Sequence, residues 1–210
     1  MNANRLLLHP AAKPVLWALL ALPASLVLVG ALTGGLGPNP VEALIRSLGD
    51  WTLRLLCLTL AVSPLRQLTS WAGLLRFRRN LGVACFIYGS LHWLAYAWLD
   101  QELDWAALLH DVAKRPFILV GTAAWLAMLP LAATSFNAAI RALGAPAWKD
   151  LHKVIYVIGP VALLHFYWMK AGKHDFGEVT LYALVIGGLL GWRRWGRSLS
   201  SPLSGRPPAS

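Results

Sequence analysis

Apolar residues along this chain gather into six long runs between short polar stretches, near residues 15–32, 50–66, 81–99, 117–135, 153–170 and 178–193. A bilayer core about 30 Å thick needs roughly 17 to 25 apolar residues to be crossed as a helix, and each run meets or approaches that length. The pattern predicts an all-α fold, a polytopic membrane protein built as a six-transmembrane-helix bundle. The first run follows Arg5 and Lys13, carries Pro23 in its middle and lacks a small-residue cleavage signature, so a retained helix is expected in preference to a cleaved signal peptide. The second run is the weakest, being short and containing Arg54, which is expected one turn inside the span, where its side chain can snorkel to the interface. Between the third and fourth runs, Trp105, Leu108, Leu109 and Val112 follow i, i+3, i+4, i+7 spacing and predict a short amphipathic helix lying on the membrane. The chain therefore divides into an N-terminal segment (1–14), a membrane domain (15–193) and a polar tail (194–210) that reads as disordered.

Composition sharpens this picture. A chain that is 57% hydrophobic and 13% charged cannot present the polar surface of an ordinary soluble domain. With the N-terminus placed in the cytoplasm, 13 of the 19 basic residues fall on the inner side, and eight of the nine acids fall outside. Both termini are then cytoplasmic. The net charge of +10 reads as a topology signal and as attraction to anionic membrane lipid. A nucleic-acid partner is the poorer reading, because the basic residues sit in short loops beside the spans.

The chemistry narrows to histidine. Cys57 and Cys85 lie inside apolar runs without a CxxC partner, and CxxCH, HExxH, glycine-rich phosphate loops and nucleophile elbows are all missing. His9, His110 and His174 fall in termini or loops, which leaves His92, His152 and His165. His92 and His165 lie at similar distances along two runs of the same direction, about 17 to 20 Å from the cytoplasmic ends of their helices. Two imidazoles at matched depth are what a bis-histidine haem requires; packing or hydrogen bonding between helices is the alternative for each. Gly82, Gly89 and Ser90 near His92 leave room for a macrocycle and equally suit bare helix packing. His152 is accompanied by Lys149, Lys153, Arg78 and Arg79, a basic inner-face pocket suited to a flavin phosphate, a quinone headgroup or a haem propionate, or simply a positive-inside cluster.

The pattern formed by Trp148, Leu151, His152, Tyr156, His165, Phe166 and Trp168 resembles the MsrQ (formerly YedZ) family of the ferric-reductase-like transmembrane superfamily. Further matches are SPLR at 63–66, RRNLG at 78–82, LHWLAY at 91–96, RPF at 115–117 and TS at 134–135. The resemblance covers nearly the whole chain. It implies a haem b-binding inner-membrane subunit that passes electrons from the quinone pool or a cytoplasmic reduced flavin to MsrP, a periplasmic molybdopterin enzyme that repairs methionine sulfoxide; FMN binding is also associated with the family. Larger relatives stack two haems using two histidines on each of two helices. Here the place about fourteen residues before His92 holds Arg78, which cannot ligate iron, so one haem per chain is expected, with His92 and His165 as metal ligands.

Two functions follow from these residues. The first is an electron-transfer cytochrome with no substrate active site of its own, because a bis-histidine iron keeps no open position. Only 18 residues follow Trp192, too few for the flavin and nicotinamide domain of ferric reductases, so electrons are expected to arrive from another molecule. The second is a proton-coupled transporter using intramembrane histidines, although the two halves of the chain share no repeat. The charge asymmetry predicts that cytoplasmic reporters fused after Arg79 or at Ser210 are active, and periplasmic reporters near Glu102 or Lys173. Periplasmic activity at Ser210 would overturn the six-span arrangement.

Overall fold

A computed structural model describes residues 3–172 and 176–199, and every regular element among them is helical. The elements are α1 (Ala3–Leu8), α2 (Ala12–Thr33), α3 (Pro40–Thr69), α4 (Leu75–Ala95), α5 (Trp105–Lys114), α6 (Pro116–Ala133), α7 (Asn137–Leu143), α8 (Ala145–Leu151), α9 (Ile155–Ala171) and α10 (Gly177–Leu199). A 3-10 turn at Ala72–Leu74 leads into α4, a π-helical turn at Tyr96–Asp100 extends it, and a second 3-10 turn at His152–Val154 joins α8 to α9. Among the described residues, five stretches are long and apolar enough to cross a membrane: Ala12–Thr33, Pro40–Thr69, Ala72–Asp100, Pro116–Ala133 and Ala145–Ala171. The sixth apolar run is α10, which is helical but carries Glu178, Arg193 and Arg194 and is not among the five. His174 and residues 200–210 of the expected tail lie outside the described residues.

Three boundaries differ from the sequence reading. The second span begins at Pro40, ten residues before the expected start, because Asn39 caps it: its side chain accepts from the Glu42 N–H and donates to the Glu42 carboxylate. Arg54 is thus fourteen residues into a 30-residue helix instead of one turn inside it, and its guanidinium lies 4.9 Å over the Trp51 ring. The fifth span is broken at His152 by the 3-10 turn. At the other end, α10 runs on to Leu199, past the boundary expected at 193. The surface helix appears as α5, capped by Asp104, with Leu108 buried and Trp105 and Leu109 exposed.

Helix α3 forms the centre, packed along α4 and against α10, while α6 packs along α9 and touches α4. Leu55, Leu56, Leu60, Ile158 and Ile186 are the fully buried side chains of this core. Lipid tails are as apolar as leucine, so close packing and internal polar bonds, more than transfer from water, hold such helices together. Two contacts illustrate this. The buried Gly159 of α9 packs against α10, where an added Cβ would sit in ordinary contact, 3.5 Å from Ile186. Arg193, only 9% exposed, donates to the Leu60 carbonyl at 2.9 Å and so ties the end of α10 to α3.

Helix α2 is the outermost span, with Leu19, Leu26 and Leu32 exposed toward the surroundings. Tyr88 of α4 holds it. The phenolic hydroxyl donates to the Leu20 carbonyl at 2.7 Å and accepts from the Ala24 N–H at 3.0 Å, two groups that pair with each other in an uninterrupted helix. Tyr88→Phe removes both bonds at a buried site, and a loss of about 1–3 kcal/mol is expected. Thermal unfolding of the purified protein in detergent should show a lower midpoint; an unchanged midpoint would mean that α2 is held by lipid and packing alone.

Candidate functional site

His92 on α4 and His165 on α9 meet inside the bundle, in what the sequence reading takes as its outer half, with ring centroids 6.1 Å apart and planes at 75°. Each ring is fixed by one hydrogen bond to a neighbouring helix. His92 Nδ1 lies 2.8 Å from the Ile45 carbonyl of α3, and His165 Nδ1 lies 2.6 Å from the Phe117 carbonyl of α6. A carbonyl only accepts, so Nδ1 carries the proton in both rings. Nε2 is then left with its lone pair in the neutral imidazole, the form that binds a metal.

Both carbonyls are reachable for the same reason. Residue 49 stands four after Ile45 and residue 121 four after Phe117, and both are glycine. An added Cβ at Gly49 would come within 3.0 Å of the His92 ring, and one at Gly121 within 2.7 Å of His165 Nδ1. The side of the helix turn that a side chain would cover is thereby open to the imidazole. Sequence reasoning did not single out either glycine, although each is the small residue of an IRSLG or FILVG segment inside an apolar helix.

The two rings line a cavity of about 410 Å³. One wall is a tryptophan pair, Trp93 stacked on Trp125 with centroids 4.7 Å apart and planes within 9°. Trp125 Nε1 donates to Ser90 at 3.0 Å, whereas Trp93 Nε1 is buried without a protein partner. The arrangement can offer two neutral imidazole nitrogens to one metal within a cavity whose walls are largely apolar and whose rim is charged. Among the described residues, no group of three or more His, Cys, Asp or Glu side chains could form a metal site of the carboxylate or thiolate kind.

His152 is not part of this pair. It faces a second, larger cavity of about 1280 Å³ toward the other end of the bundle, with Arg78, Arg79, Lys149, Lys153 and Arg193 around it and Asp150 as the one acid. Its ring stacks on Trp148 at 4.0 Å, and its Nδ1 lies 3.0 Å from the Trp148 carbonyl. Its Nε2 is buried with no partner. Trp148 is itself held by a 2.9 Å bond from Nε1 to the Thr134 carbonyl. Leu56, Cys85 and Met128 line both cavities and form the partition between them. Cys57 and Cys85 are buried and unlinked, and His9 and His110 line neither cavity.

Residues 48–164 match the family described as ferric reductase like transmembrane component. Over 189 residues the chain is 53% identical to the protein-methionine-sulfoxide reductase heme-binding subunit MsrQ of Polaromonas naphthalenivorans, covering 90% of this chain and 86% of that protein. This chain belongs to the MsrQ family. Proteins of the same description from Ralstonia nicotianae and Herminiimonas arsenicoxydans are 50% and 42% identical over 88% and 92% of this chain, which covers 85% and 90% of theirs. No solved structure matches. The family match, residues 48–164, includes Gly49, His92, Gly121 and His152 and ends one residue before His165.

Gly121→Ala is the sharpest local test of this geometry. Its methyl group meets the His165 ring at 2.7 Å and must displace it from the Phe117 carbonyl. Overpacking of this kind costs about 1–3 kcal/mol. A lower unfolding midpoint is expected, with a shift of the His165 Nδ1 resonance in labelled protein; an unmoved resonance would refute the close approach.

Proposed function

We propose that this chain is a haem b membrane cytochrome that carries electrons from the inner face of a bacterial inner membrane to a periplasmic methionine sulfoxide reductase subunit, MsrP. The observation that carries this is the His92–His165 pair. An imidazole bound through Nε2 at about 2 Å puts its ring centre about 3 Å from a metal, so two on opposite faces stand about 6 Å apart. The separation of 6.1 Å and the two Nδ1 bonds to carbonyls suit that arrangement without rearrangement. Haem b, were it held there by His92 and His165, would supply reversible one-electron transfer. The protein's part is to fix the ring tautomers, exclude water and leave no iron position for a substrate.

The inner cavity suits the donor. Its arginines and lysines favour an anion, and the Trp148–His152 stack offers a flat aromatic face. An FMN phosphate and isoalloxazine, or a quinone headgroup, would find complementary groups there, with the buried His152 Nε2 as a polar contact. In this reading α10 is the sixth span, Arg193 and Arg194 mark its cytoplasmic end, and both termini are cytoplasmic. Arg78 beside His152 supplies no iron ligand, which favours one haem per chain.

The test follows the visible spectrum of membranes. Reduced quinone or a reduced-flavin source should convert it to the ferrous form, and MsrP with a methionine sulfoxide peptide should restore the ferric form. Restoration at the same rate without MsrP would defeat the shuttle, and purified protein without haem would favour a transporter. His92→Ala and His165→Ala should each remove most of the haem. His152→Ala should keep it and slow its reduction from the inner side; equal haem loss in all three would refute the pairing.

A further inference from the structure

The outer cavity is not uniform along its length. Its inner end is walled by Leu53, Leu56, Met128 and Ile158, whereas its mouth carries Arg46 and Arg115 together with the acids Glu42, Asp50 and Asp100 and the amine of Lys170. The two arginines are held in place by neighbours one turn away, Arg46 within α3 and Arg115 at the junction of α5 and α6. Arg46 pairs with Glu42 one turn earlier, and Arg115 Nε donates to Asp111 at 2.7 Å. Asp111 is fixed in turn by Tyr96, whose hydroxyl donates to its other oxygen at 2.7 Å. Lys170 is bound to Glu178 at 2.7 Å. Arg46 Nε nevertheless remains buried with no hydrogen-bond partner, and the Arg115 pair engages its guanidinium through Nε.

A ligand with a flat apolar body and a carboxylate edge can enter such a cavity in one orientation. Setting unpaired carboxylates among Leu53, Met128 and Ile158 would cost several kcal/mol, while the mouth offers guanidinium donors to charge-assisted bonds. We propose that Arg46 and Arg115 bind the two propionates of the macrocycle held between His92 and His165, so that its carboxylate edge faces the outer surface and its apolar edge faces the Leu56–Cys85–Met128 partition. This rests on the bis-histidine reading and adds the orientation and the residues that set it. Glu42 and Asp111 serve as positioning residues for the two guanidinium groups.

The test compares purified full-length Arg46→Leu, Arg115→Leu and Arg78→Leu, with Arg54→Leu as a control outside the cavity. A bond to a charged group is worth about 1.5–3 kcal/mol, so Arg46→Leu and Arg115→Leu should each release haem to excess apomyoglobin at least about tenfold faster. Loss of a cation beside the iron also favours the ferric state. About tenfold less ferrous protein at a fixed potential, or 59 mV for a one-electron couple, is expected. The propionate bending band in resonance Raman spectra should move in these two variants, and Arg46→Lys, which keeps the charge without the Nε donor, should be intermediate should the leucine variant fail to accumulate. Wild-type values in both mouth variants, or a Raman shift confined to Arg78→Leu, would overturn the outward orientation. Loss of haem from His92→Ala with these outcomes unchanged would leave the axial pair standing, whereas haem-free wild-type protein would remove both.

Discussion

Two backbone carbonyls, those of Ile45 and Phe117, govern the geometry of the outer cavity. Each accepts from an imidazole while belonging to a helix, and each is exposed because the residue four positions on is glycine. These bonds do three things together. They join α4 to α3 and α9 to α6, they settle which ring nitrogen is protonated, and they aim the remaining nitrogens into one space. In an apolar interior a ring without such a partner would carry an unmatched donor, at a cost of about 1–3 kcal/mol. The same bond therefore supports both the packing of the bundle and the readiness of its histidines.

Much of this was legible in the sequence because a membrane restricts the choices. Apolar length reveals spans, and the matched positions of His92 and His165 along two of them brought the rings together on helical rise alone. The glycines were not legible, since a glycine in an apolar helix has many uses and its partner ring lies 43 or 44 residues away in the chain. Arg54 misled for a related reason: hydropathy discounted the polar turns from Pro40 to Asp50, although Asn39 and Pro40 are an ordinary helix start. His152 was separable from the other two by its basic neighbours. The 3-10 turn between α8 and α9 that turns it toward the inner cavity falls at the start of the apolar run read at 153–170 and has no clear signature there.

Polar groups in the bundle interior are arranged by depth. The inner cavity is ringed by arginine and lysine with a single acid, whereas the mouth of the outer one mixes both signs in matched pairs, Arg46 with Glu42 and Arg115 with Asp111. Unbalanced positive charge at one end attracts anions; the paired rim holds its arginines in place while leaving guanidinium donors such as Arg46 Nε unengaged. Between the two ends the walls are apolar, and the few polar groups there, such as Tyr88, Cys85 and Thr59, are bonded to backbone carbonyls. These three meet the need for polar groups at membrane depth to be satisfied within the protein, whereas Trp93 Nε1, facing the outer cavity, is not so matched.

The partition of Leu56, Cys85 and Met128 separates two polar compartments by a layer of side chains. Electrons can tunnel through a layer of this kind, whereas ions and water need a continuous polar path. In the proposed direction, an electron crossing from the inner compartment to the outer one moves away from the negative face of an energised membrane. Each charge that traverses the full potential gains about 2.3 kcal/mol per 100 mV. If electrons travel in that direction, the membrane voltage would favour their passage across the Leu56–Cys85–Met128 layer.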